Sequence, residues 1–136
     1  MIVGIGLPRT GTRSLAQALE ILGYKGSHHC ELIGTTKPAA ENDSYIIDNS
    51  SYHNFKLLHK NDIYIMTYRP PEQWRSSIFQ FSKYNGPDIE AYKNNCINTL
   101  QKAGVKFLIF NILEGWETLC KFLEQKEPDC EFPIVT

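Results

Sequence analysis

The sequence predicts an α/β chain: a three-layer α/β/α sandwich built on a short parallel sheet. Two observations carry this. Short apolar runs at 2–6, 44–48, 62–68 and 105–110 alternate with helix-patterned stretches at 12–23, 50–59, 71–84, 88–104 and 114–125. Such alternation builds parallel sheets covered by helices on both faces. The length, 136 residues, then matches one domain over 1–136, able to bury roughly 65–70% of its unfolded surface in a single core.

Each element has its own signal. Met1-Ile2-Val3-Gly4-Ile5-Gly6 is an apolar strand, and Leu7-Pro8-Arg9-Thr10-Gly11-Thr12-Arg13-Ser14 is a Gly/Pro/Thr turn with two arginines. Leu15, Ala18, Leu19 and Leu22 then recur at helical spacing. Residues 25–43 read as irregular: Lys25-Gly26-Ser27-His28-His29-Cys30 is loop-like and Gly34–Pro38 breaks any helix. Tyr45-Ile46-Ile47 is a strand ending at Asp48, and Ile63-Tyr64-Ile65-Met66-Thr67-Tyr68 is a buried one. Pro71 suits the first turn of the helix that follows. Lys106-Phe107-Leu108-Ile109-Phe110 is the last strand, and the last helix is apolar at Trp116, Leu119, Cys120 and Leu123. With the four strands numbered in chain order, the expected sheet order is 2-3-1-4. It brings the C-terminal ends of the first three to one edge, where open α/β sheets bind ligands.

Composition narrows the function classes. The chain is 42% hydrophobic and 21% charged with a net charge of −1, which gives no broad field for nucleic acid or an anionic membrane. Positive potential must be local, at Arg9, Arg13, Arg69 and Arg75. No run reaches the ~18 apolar residues of a membrane span, and the first strand begins at Met1, so a cytoplasmic location is expected. Cys30, Cys96, Cys120 and Cys130 lack metal-site spacing and read as reduced structural thiols. His28-His29-Cys30 has no fourth partner for zinc, so no metal is expected. Trp74 and Trp116 read as core.

The strand–turn–helix at the start is an anion cradle of the P-loop nucleotide-binding type. Loop N–H groups and those of the first helical turn converge, and the helix dipole adds about half a positive charge. Gly6 and Gly11 have P-loop separation, but Thr12 and Arg13 stand where G-x-x-x-x-G-K-[ST] needs Lys and Ser/Thr. The cation sits inside the loop instead, at Arg9. That argues against Mg²⁺-dependent ATP or GTP hydrolysis.

Gly6-Leu7-Pro8-Arg9-Thr10-Gly11-Thr12 resembles the 5′-phosphosulfate loop of sulfotransferases that use 3′-phosphoadenosine 5′-phosphosulfate (PAPS). Arg69, Pro71 and Ser77, eight residues after Arg69, resemble the 3′-phosphate motif of the same family. The ending, with Glu114-Gly115-Trp116-Glu117 and Phe132-Pro133, is similar to a small soluble branch of it. The resemblance implies metal-independent transfer of a sulfuryl group from PAPS to a hydroxyl or amine on a small-molecule, glycan or peptide acceptor. It implies cofactor binding by Pro8, Arg9, Thr10, Gly11, Thr12, Arg13, Ser14, Arg69 and Ser77, with Arg9 also catalytic. The family places a catalytic base, His or Glu, at the end of the strand that Asp48 terminates, so Asp48, which departs in residue type but not in position, is the candidate base; His28, His29 and His53 are rivals. Asp48 also suits the cap of the helix expected at 50–59. Two alternatives stand beside this reading: a small nucleotide or metabolite kinase with Ile46-Ile47-Asp48 as its second motif, and a nucleotide-binding module that has lost turnover.

Overall fold

A computed structural model describes residues 1–30, 35–37, 42–48, 60–81 and 84–135, with positions 29–30, 35–37 and 48 described as backbone. The elements run β1 (Ile2–Gly4), α1 (Thr12–Ile21), β2 (Gly26–Cys30), β3 (Thr35–Lys37), β4 (Tyr45–Asp48), β5 (Ile63–Thr67), α2 (Pro71–Ile78), α3 (Ile89–Ala103), β6 (Phe107–Phe110), a 3₁₀ turn (Ile112–Glu114) and α4 (Gly115–Leu123). The helix expected at 50–59, and His53 within it, lie outside the described residues.

The six strands form one sheet in the order β3-β2-β4-β1-β5-β6. Five are parallel, and β3 closes one edge antiparallel to β2. The period-2 alternation of the central strands makes the three layers. On one face Ile2, Tyr45, Ile47 and Ile65 pack with Leu15, Leu19, Trp116 and Leu119 of α1 and α4. On the other, Val3, Tyr64 and Met66 pack with Trp74, Ile78, Tyr92 and Leu100 of α2 and α3. Burial of each such side chain is worth about 1.5–3 kcal/mol. That packing, rather than propensity, holds a helix as short as α1, which would be marginal alone.

The α/β/α class stands, but the order 2-3-1-4 does not. The strand at 45–48 lies directly against β1, with Tyr45, Ile46 and Ile47 paired to Ile2, Val3 and Gly4, and β5 holds β1's other side. The reason lies in the stretch expected to be irregular. Residues 26–30 and 35–37 are strands and occupy the edge. Tyr45 and Ile47, both fully buried, therefore sit in an interior strand between β2 and β1 rather than at an edge. Parallel pairing with β4 satisfies the backbone of the polar run Gly26–Cys30, a tertiary effect that overrides its weak strand propensity.

Helix ends follow local chemistry. Pro71 stands in the first turn of α2, as expected. Asp88 caps α3 by accepting from the Glu90 N–H, and Gly104 ends it in the left-handed conformation. Asn111 and Glu114 form a reciprocal capping box that starts the last helical segment. Arg75 grips the capping carboxylate of Asp88 through two hydrogen bonds of 2.8 and 2.9 Å. Arg75 therefore leaves the set of free local cations, and the pair holds the Asp88 carboxyl below its ordinary range.

Among the described side chains, two cysteines are packed as structural thiols and one is exposed. Cys96 and Cys120 are buried and free, and Cys130 is exposed and free. Burial pushes the Cys96 thiol up to about 11, so it is not a thiolate at neutral pH. In the folded protein, iodoacetamide should alkylate Cys130 and spare Cys96 until denaturant is added; peptide mass spectrometry reads this. Modification of Cys96 at the rate of Cys130 would contradict its packing.

Candidate functional site

β1 feeds α1 on one face of the sheet, while its neighbour β5 feeds α2 on the other. Where successive connections diverge to opposite faces, a crevice opens beyond the carboxyl ends of the two strands. The loop after β1 carries Arg9, and the loop after β5 carries Arg69. The fold therefore brings both motifs to one crevice.

The loop after β1 is held by short contacts. Gly6 is required by proximity: a Cβ there would fall 2.0 Å from Thr67 Oγ1 and 2.9 Å from Thr10 Oγ1. Thr10 Oγ1 donates to the Leu7 carbonyl at 2.6 Å and lies 2.5 Å from Thr67 Oγ1. A hydroxyl has one proton, so Thr67 is the donor to Thr10. Trp74 Nε1 donates to the Pro8 carbonyl at 2.8 Å, and Arg69 Nη1 donates to the Arg9 carbonyl at 3.2 Å. Gly11 turns the chain into α1 at φ 98°, a conformation that favours glycine.

Arg9 adopts φ 66°, left-handed for a residue with a side chain, at a cost of about 1–2 kcal/mol. The side chain so placed is engaged. Its Nε donates to Ser77 Oγ at 2.9 Å, and its guanidinium lies 5.2 Å from the centre of the Phe81 ring. Arg9 thus touches Ser77 through its side chain and Arg69 through its carbonyl, so the two motifs meet at Arg9. No carboxylate among the described residues pairs with Arg9, Arg13 or Arg69. No backbone acceptor among them takes the N–H of Arg9, Thr10 or Gly11, and α1 has no side-chain cap. Converging cations and unclaimed N–H donors at a helix start are what an anion with several oxygens binds.

The remaining expected ligands divide. Pro8 and Thr10 are buried, and the Thr10 hydroxyl is used inside the loop, so Thr10 faces the cradle only through its backbone. Thr12 is buried and Arg13 exposed in the first turn of α1. Ser14 is fully buried, and its Oγ accepts the Val135 N–H at 2.8 Å. Its side chain thus fastens residues near the end of the described chain onto α1. Asp48 ends β4, one position beyond the Ile47–Gly4 pair with β1. That is one strand spacing from β1, about 4.8 Å, where the expected order had a strand between. His28 and His29 stand in β2, beyond β4, not in a loop free to fold over the edge. Among the described residues, no group of three or more His, Cys, Asp or Glu is placed to share a metal ion.

Thr67, Trp74 and Phe81 are site residues that the sequence reading did not single out. Trp74 is core, as expected, at 2% exposure, yet its indole N–H also holds the loop. The signal was there: a buried indole N–H needs an acceptor. Thr67 is the polar end of an otherwise apolar strand. Beside it, Tyr68 donates to the Glu90 carboxylate, and the Lys93 ammonium lies 4.6 Å from the Tyr68 ring centre. Burial, reinforced by Glu90, holds the Tyr68 hydroxyl above its ordinary range.

A family model described as a sulfotransferase domain matches residues 1–63 and 83–136. The unmatched stretch between those blocks holds Arg69, Trp74 and Ser77. No curated protein matches the chain.

Proposed function

Since the chain belongs to the sulfotransferase domain family, a family of transferases, we propose that it moves a sulfuryl group from PAPS to a hydroxyl or amine acceptor. One observation carries the reading above all. Arg9 and Arg69 converge with Ser77 on a loop whose N–H donors are unclaimed, and no carboxylate among the described residues balances the charge. The residues fit a donor that bears two separated anionic groups. The loop N–H groups and Arg9 hold the 5′-phosphosulfate. Arg69 keeps donors beyond the one on the Arg9 carbonyl and, with Ser77, takes the 3′-phosphate.

In the transfer, the acceptor atom bonds to sulfur. The bond from sulfur to the bridging oxygen breaks with its electron pair on the phosphate, and adenosine 3′,5′-bisphosphate leaves. Arg9 stabilises the charge gathering on that oxygen. Asp48, at the end of β4 beside the loop strand, takes the acceptor's proton. Arg9 supplies the charge that a metal ion supplies in phosphoryl transfer, and the acceptor is a small molecule, glycan or peptide.

Thermal shift with the product nucleotide tests this. At equal concentrations, adenosine 3′,5′-bisphosphate should raise the melting temperature more than AMP does; at a hundredfold excess over its own Kd it stabilises the fold by about 2.7 kcal/mol. Arg69→Ala should weaken the bisphosphate by about 1.5–3 kcal/mol, the range for a charge-assisted hydrogen bond, and should weaken AMP far less. Equal shifts for the two nucleotides would remove the 3′-phosphate site. Binding without any sulfated product across a broad acceptor panel would indicate a module that has lost turnover.

A further inference from the structure

Three successive loop carbonyls, those of Leu7, Pro8 and Arg9, are each taken by a side chain: Thr10, Trp74 and Arg69. Thr67 backs the first of these. Three of those four residues, Thr67, Arg69 and Trp74, belong to the end of β5, the loop after it and α2, on the far side of the crevice from α1. In a trans peptide the N–H points opposite to the preceding carbonyl. Drawing the Pro8 and Arg9 carbonyls toward α2 therefore turns the N–H groups of Arg9 and Thr10 the other way, toward the start of α1. The same hold over-determines the left-handed φ of Arg9, which a free loop would relax.

We propose that Trp74 is a positioning residue: its indole N–H fixes the loop in anion-binding shape before any ligand arrives, with Thr67 as its partner in the same bracket. This rests on the sulfotransferase reading only for the identity of the ligand. The indole is suited to the task because its ring is locked in the core. It lies against Tyr84, with ring centres 5.6 Å apart in an edge-on contact, so its single donor is presented without freedom. Preorganised donors are what make such a cradle effective, since no ordering remains to be done on binding. Thr67, Arg69 and Trp74 lie in the stretch between the two family-matched blocks, so these three positioning residues stand outside the matched pattern.

Trp74→Phe tests the idea, because it keeps an aromatic ring in the core and deletes the donor. Thr67→Ala is the second variant, should the first fold poorly. The first readout needs no ligand: ¹⁵N relaxation of the Arg9, Thr10 and Gly11 amides. In the unmodified chain these should have order parameters near the rigid value of about 0.85, and in Trp74→Phe they should fall toward about 0.6 or below. The second readout is calorimetric binding of adenosine 3′,5′-bisphosphate, expected to weaken about tenfold in either variant. A merely structural role would lower the melting temperature and leave the loop amides rigid in the folded population. Loop amides equally rigid in the unmodified chain and in both variants would overturn the bracket. If the variants loosen the loop but the unmodified chain fails to bind the bisphosphate, the bracket stands and the PAPS reading falls.

Discussion

Arg9→Ala should lower sulfuryl transfer by about 10²–10³-fold, the usual cost of removing a donor aimed at charge that develops in the transition state. It should also weaken AMP and the bisphosphate alike, because Arg9 belongs to the loop that both nucleotides share. Two companion substitutions separate function from folding. Arg9→Gly removes the side chain and the left-handed strain together. Its melting temperature should hold or rise while transfer is lost. Arg9→Lys keeps the charge but loses the planar fork that reaches Ser77 at 2.9 Å, so it should retain only part of the rate. The assay is transfer of labelled sulfate from PAPS to an acceptor panel, with nucleotide binding measured in parallel. Unchanged turnover in Arg9→Ala would show that the loop is not where the chemistry occurs.

Asp48→Asn should lower transfer by about 10²–10⁴-fold, the size of a general-base contribution. Bisphosphate affinity should stay almost unchanged, since the nucleotide cluster is built from the loop after β1 and from β5 and α2. Position supports the choice: β4 pairs directly with β1, and Asp48 follows the residue opposite Gly4. His28 and His29 lie in β2, two strand spacings from β1, roughly 10 Å. Both stand one strand farther from the loop strand than Asp48 does, so His28→Ala and His29→Ala should have smaller effects than Asp48→Asn. A normal rate in Asp48→Asn, with a collapse in one of the histidine variants or in His53→Ala, would move the base to that histidine.

Residue order alone determined the α/β layering and the loop. The apolar strand at the start, the glycine spacing and the arginine inside the turn are local features, and local backbone chemistry fixes what they build. The placement of Arg69 just before α2 and of Ser77 within it was legible for the same reason, since Pro71 sets the helix start and eight residues span about two turns. The sheet order was not legible. It depends on which strands compete for the slots beside β1, and the polar run Gly26–Cys30 carries no apolar alternation to announce itself as one of them. Tertiary structure also decided what each site residue does with its hydrogen bonds. The family resemblance placed Thr10 and Ser14 among the ligands. In the fold, the Thr10 hydroxyl closes on Leu7 and Thr67, and Ser14 Oγ is taken by Val135. Trp74 showed the converse: its hydrophobic ring predicted the core, while its one polar atom found the Pro8 carbonyl 66 residues away. Such partners are set by long-range packing, which brings distant groups within hydrogen-bond reach only after the layers have closed.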